Sequence, residues 1–141
     1  MASFIYNNAR EAFLNADIDL SADTIKLALV TASYTPDQDA HDMWDDVSAN
    51  EVSSSGYSAG GATLGSKTVT QDDPNDRAVF DAADVSWSAV TFSTRYGILY
   101  KSTGTPSTSP LIACLDWGST KSPAGEDFNV VWNASGILRL T

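Results

Sequence analysis

The residues forecast a mainly β protein, an antiparallel β-sandwich or barrel-like domain with one N-terminal helix. Three observations lead there. Helical periodicity is confined to the first residues, where Ile5, Ala9, Ala12, Phe13 and Ala16 form one stripe. After Thr24 the apolar residues alternate in short runs, which is strand patterning. Those runs are separated by turn residues rather than by further helices, which argues against a parallel sheet.

The expected helix covers 1–16, with Ser3 or Asn7 as its cap. Asp17 to Asp23 has loop chemistry, and strands and loops occupy 24–141. In Thr24–Thr31, Ile25, Leu27 and Leu29 share one face while Ala28 and Val30 on the other are also apolar. A strand apolar on both faces belongs in the middle of a sheet. Ser33 to Glu51 reads as a long acidic loop, with a helical turn at Asp42–Val47. Val52 to Gly65, rich in Ser and Gly, reads as an irregular excursion or bulged edge strand. Lys67–Thr70 and Arg77–Phe80 flank Gln71-Asp72-Asp73-Pro74-Asn75-Asp76, a hairpin signal. Val85 and Trp87 start another strand. In the next, Phe92, Tyr96, Ile98 and Tyr100 are expected to share a face. Leu111–Trp117 is a strand and Gly118–Glu126 a loop. Asp127–Asn133 and Gly136–Leu140 are expected to pair as a hairpin around Ala134-Ser135. No linker or internal repeat interrupts the 141 residues, so a single domain is expected over 1–141.

Charge and composition narrow the function. With 8 Lys+Arg against 18 Asp+Glu the net charge is −10, which disfavours nucleic acid, because phosphate contacts need clustered cations. No apolar run approaches the ~20 residues of a membrane span, and the first residues lack the pattern of a signal peptide. Synthesis in a cytoplasm is the expectation. One cysteine, Cys114 in an apolar run, rules out an internal disulfide and reads as a core residue.

Candidate chemistry is sparse. Asp37, Asp39, His41, Asp42, Asp45 and Asp46 crowd one loop, and Asp37-x-Asp39 begins like a calcium loop. Its sixth position is Asp42 where glycine is needed, and its twelfth is Ser48 where a bidentate Glu is needed. A solvated, mobile acidic loop is therefore expected, with no metal site. His41 lacks a nucleophile and a pocket, so it reads as a surface residue rather than a general base. Asp72, Asp73 and Asp76 read as turn chemistry. The glycines from Gly56 to Gly65 lack the Lys-Ser/Thr ending of a phosphate loop, and no nucleophile elbow is present. Trp132 reads as core. Met43 and Trp44, set in the acidic loop, and then Tyr57 in the Gly-rich segment are the candidate interface residues, because exposed Met and aromatic side chains suit an interface anchor. No catalytic residue, cofactor or metal ligand is assigned, and an enzyme is not expected.

The run Asp17-Ile18-Asp19-Leu20-Ser21-Ala22-Asp23-Thr24-Ile25-Lys26-Leu27-Ala28-Leu29-Val30-Thr31-Ala32-Ser33-Tyr34-Thr35-Pro36 resembles a family of small structural proteins from tailed bacteriophages. So do His41-Asp42-Met43-Trp44-Asp45-Asp46, Glu51-Val52, Gly56-Tyr57 with Ala59-Gly60-Gly61, and Asp76-Arg77-Ala78-Val79-Phe80-Asp81-Ala82. Arg95-Tyr96, Tyr100-Lys101, Ser109-Pro110-Leu111-Ile112, Trp132-Asn133-Ala134 and Gly136-Ile137-Leu138 extend the resemblance along nearly the whole chain. It implies a non-enzymatic virion component, made in the host bacterial cytoplasm, and carries over no site residues. The expected role is capsid decoration (cement), binding the major capsid protein or other virion proteins on the outside of the assembled shell. A homo-oligomer is expected, a trimer first. Alternatives are a head–tail connector, tail or fibre-associated protein and, from another class, a β-sandwich binding sugar or calcium on the virion surface.

Overall fold

Strand Ile25–Val30 is the axis of the molecule, and five of its six residues are buried. In a computed structural model describing residues 2–141 it is β2, fourth in a five-stranded sheet, between β7 and the short β3. The other elements are β1 (Phe4–Ile5), α1 (Asn7–Leu14), β3 (Ala62–Thr63), β4 (Thr68–Asp72), β5 (Arg77–Asp81), β6 (Val85–Thr91), β7 (Thr94–Lys101), β8 (Leu111–Lys121), β9 (Ala124–Val130) and β10 (Leu138–Leu140). The large sheet runs β1-β8-β7-β2-β3; a second runs β10-β5-β4; β6 and β9 form a two-stranded ribbon. Every pairing is antiparallel. The protein is thus mainly β with a single α-helix, as its patterning forecasts.

Both faces of the large sheet are covered. On one, Ile25, Leu27, Leu29, Leu99 and Ile112 meet Phe80 of β5, Val85, Trp87 and Val90 of β6 and Val130 of β9. An aromatic group continues this layer: Phe92–Phe128 rings lie 5.5 Å apart and Trp87–Phe128 6.1 Å apart. On the other face Ala28, Val30, Ile98, Tyr100, Leu111 and Cys114 are sealed by Tyr6, Tyr34, Trp44 and Val47. Each large aliphatic side chain so buried is worth ~1.5–3 kcal/mol. The total accessible area, 7194 Å², matches the ~7,000 Å² expected of one folded domain of this mass.

The patterned segments around β2, the β4–β5 hairpin and the irregular 52–65 excursion fall where the sequence puts them. In the hairpin Thr68 pairs with Asp81 and Asp72 with Arg77. Five expectations are corrected. The helix does not cover 1–16: Phe4 and Ile5 pair with Cys114 and Ala113 as β1. Ser3 and Asn7 do not cap α1, because the Ser3 hydroxyl accepts the Asp116 N–H and the Asn7 amide donates to Asp39; Tyr6 takes the cap position.

The expected loop Gly118–Glu126 is mostly strand. Gly118 and Gly125 adopt positive φ inside β8 and β9, so they bend strands instead of ending them. The C-terminal hairpin does not form either. β9 pairs with β6 and β10 with β5. The chain turns at Gly136 (φ +95°), after which the Ile137 N–H reaches the Phe80 carbonyl. Phe92 also leaves the face of Tyr96, Ile98 and Tyr100, for it precedes β7 and packs into the opposite layer.

Gly61 holds β3 against β2. Its φ is +81°, and a Cβ there would stand 2.0 Å from the Leu27 carbonyl oxygen. Gly61→Ala is expected to cost at least about 1–3 kcal/mol and to lower the melting temperature by several degrees. Gly65→Ala, with nothing within 4 Å of the added methyl, should leave it within experimental error. Thermal denaturation of the pair checks this.

Candidate functional site

The acidic segment between β2 and β3 carries His41, Glu51 and five aspartates. It is stitched down at many points. Val30 bridges to Glu51 and Met43 to Pro110. The Trp44 N–H donates to the Ser109 carbonyl at 2.8 Å and the Leu111 N–H to that of Asp42 at 2.9 Å. The Asn8 amide donates to the Asp42 carbonyl, and the Gln38 amide to that of Ile5.

Two of its carboxylates, Asp37 and Asp46, accept backbone N–H groups of the same loop. Asp37 Oδ1 accepts the N–H groups of Asp39 and Ala40, both at 3.0 Å. Asp46 Oδ2 accepts those of Asp42 and Met43. The N–H of Ala40, then that of Asp39, holds the Asp37 carboxyl below the usual range; for Asp46 the N–H of Asp42 leads. Beside the repulsion expected of the loop, Asp37 and Asp46 thus close turns within it. Among the described residues no group of three or more His, Cys, Asp or Glu is placed to hold a metal ion.

The candidate interface residues are not assembled on the surface. Trp44 is 5% exposed and lies flat on Tyr100, ring centroids 4.6 Å apart and planes 4° apart. Tyr57 is 8% exposed; its hydroxyl donates to Glu51 Oε2 at 3.0 Å and accepts the Leu29 N–H at 2.9 Å. Met43 is half-buried in its bridge to Pro110. The 3-10 turn Trp44–Asp46 starts immediately after Met43 and turns the indole inward. Trp44 and Tyr57 are therefore core residues, and the reading of them as exposed contacts is corrected. The large apolar side chains that do face solvent are Leu14, Val69, Val131 and Leu140. Nothing in the acidic loop points to them; Val69 is flanked by Thr68, Thr70 and Gln71, the one hint of a solvated strand.

His41 ends a buried chain of hydroxyls. Tyr6 Oη and Tyr34 Oη are 2.8 Å apart, and Tyr34 Oη lies 2.9 Å from His41 Nδ1. Among the described residues no carboxylate hydrogen-bonds to the imidazole, so the orienting group of a catalytic His is missing. Burial pushes the Cys114 thiol up to about 12, so it stays protonated and unreactive. Burial also pushes the Tyr34 hydroxyl up to about 12.

Two shallow clefts open on the surface. One, about 500 Å³, is lined by Ser48, Glu51, Ser53, Ser54, Ser55 and Tyr57 among others. In it Glu51 accepts the Gly60 N–H at 2.8 Å as well as the Tyr57 hydroxyl. Burial raises the Glu51 carboxyl above its ordinary range despite these donors. No sequence pattern signals this hub, since Glu51 looks like the tail of an acidic loop. The second cleft, about 340 Å³, lies between α1 and the residues around Lys101 and Pro110. No family model, curated protein or solved structure matches the chain.

Trp44→Ala removes a stacked, buried ring and should cost about 3–5 kcal/mol, read as a large fall in chemical-denaturation midpoint. A surface anchor would cost almost nothing. Glu51 gives a pH signature. Its folded-state pKa is raised, so its contribution improves as pH falls from neutral towards its ordinary value of 4.5. The melting temperature of the wild type, minus that of Glu51→Gln, should therefore increase between pH 7 and pH 5. A flat difference would show that Glu51 is not held above its ordinary pKa.

Proposed function

We infer that the protein is a structural component of a tailed-bacteriophage virion, most simply a decoration protein on the outside of the capsid shell. One observation supports this above the others: the side chains that could do chemistry are consumed by the architecture. The acidic loop folds on its own carboxylates, His41 closes a hydroxyl chain, and Cys114 is sealed. What remains outside is an acidic surface, suited to binding other proteins rather than turning over a substrate. The resemblance along nearly the whole chain supports the same reading. The net charge of −10 suits a subunit that must avoid packaged DNA before it docks. Partners of this kind are held by repeated weak contacts, whose multiplicity supplies avidity.

A second reading, a sugar-binding domain on the virion surface, is favoured by the serine-lined cleft at Glu51. It is the weaker of the two, because both Glu51 oxygens already accept Gly60 and Tyr57 donors and the Ser54 hydroxyl donates to the Thr91 carbonyl.

Quantitative mass spectrometry of purified particles tests the assignment. Hundreds of copies per virion are expected. A dozen or fewer would move the protein to the connector, tail or fibre, and none would end the virion reading.

A further inference from the structure

The three-stranded sheet ends on a strand with nothing beside it. β4 is paired on one side by β5 in unbroken register, and among the described residues no strand lies on its other side. Four of its five residues are exposed, so both faces and the outer edge meet solvent. Alternate N–H and C=O groups of such an edge point outward unpaired, a template for another strand.

The other edges are closed to this use. β1 and β3 have two residues each and β10 has three. β6 is broken by register shifts on both sides of Val90, and Ala89 there has φ +52°. β9 carries Glu126 and Asp127, which repel an acidic copy. β4 alone is five residues long, free of bulges and proline, and uncharged through Thr68-Val69-Thr70-Gln71, with Val69 51% exposed. Protein edges are ordinarily blunted by lysine, proline or a bulge; this one is not.

Charge identifies the occupant. A chain of net charge −10 meets a copy of itself against repulsion, so contact requires a locally balanced surface. Residues 67–81 with 138–140 supply one, holding three cations (Lys67, Arg77, Arg139) against four carboxylates. Antiparallel pairing of two β4 strands about Thr70 sets Val69 opposite Gln71 of the copy. One step beyond the strand it sets Lys67 opposite Asp73 of the copy, twice by symmetry. Opposite charges placed across strands stabilise the pairing. The Lys67 ammonium donates one hydrogen bond, to the Asp23 carbonyl, and has two further N–H groups to offer.

We propose that β4 pairs antiparallel with β4 of a second copy of this chain, about a two-fold axis at Thr70, joining two three-stranded sheets into one of six strands. The inference does not depend on the virion role, and it replaces the expected trimer with a two-fold pair as the unit of association.

Sedimentation equilibrium of the full chain across the micromolar range tests it, together with hydrogen exchange of the 68–72 amides. The wild type should show twice the chain mass, and protection of these amides should rise with concentration. Thr70→Lys, at an exposed position that leaves the hydrophobic core untouched, should give a folded monomer. Lys67→Asp and Asp73→Lys should each weaken association about tenfold, since two attractive pairs become repulsive, and the double exchange should restore it. A monomer at every concentration, a three-fold mass, or a dimer that survives Thr70→Lys would each overturn the proposal; in the last case another surface, or another protein's strand, is the true occupant.

Discussion

The constraint on which the rest of the structure depends is that the central sheet is apolar on both faces. β2 alternates Ile25, Leu27 and Leu29 on one side with Ala28 and Val30 on the other, and all five are buried. A sheet of this kind needs two covers. The smaller sheets, led by Phe80 and Trp87, supply one. The segment from Thr31 to Glu51 supplies the other, with Tyr34, Trp44 and Val47 as its inner surface. Its acidic residues are the outside of that cover. The loop is ordered because it has a hydrophobic underside, and its carboxylates complete its turns.

This explains which features were legible in the sequence. β2 could be read because burial on both faces leaves an unmistakable apolar run. The β4–β5 hairpin could be read because its turn chemistry is local: Asp72, Pro74 and Asn75 specify a tight reversal, and Arg77 returns to Asp72 at 2.7 Å. The helix periodicity was also real, with Ala9 and Ala12 buried. It ran one element too far, because Ile5 continues the stripe while its backbone belongs to β1.

The illegible features are those decided at long range. Nothing near Ala134 reveals that β9 and β10 part company, since their partners, β6 and β5, lie far earlier in the chain. Trp44 looked exposed because its neighbours are Asp residues. A 3-10 turn follows neither the 3.6-residue nor the 2-residue period, so neighbours' polarity says little about which way such a residue points. Glu51 was missed for a related reason. Its importance comes from Gly60 and Tyr57, which meet it through a loop whose course no pattern specifies.

The pairing of β1 with β8 has a kinetic side. Phe4 sits beside Cys114, and β2 finds β7 some seventy residues later in the chain, at Leu29↔Gly97. Closing such loops costs entropy before any contact repays it, so folding of this topology belongs to the slow end of small domains. During synthesis β2 must wait for β7, and the first strand must wait until β8 has emerged. Until then β2 lacks its longest partner strand, and a nascent chain with such a strand incompletely paired is open to aggregation. The order in which the polypeptide is made thus leaves its most hydrophobic strand without β7 while some seventy residues are added.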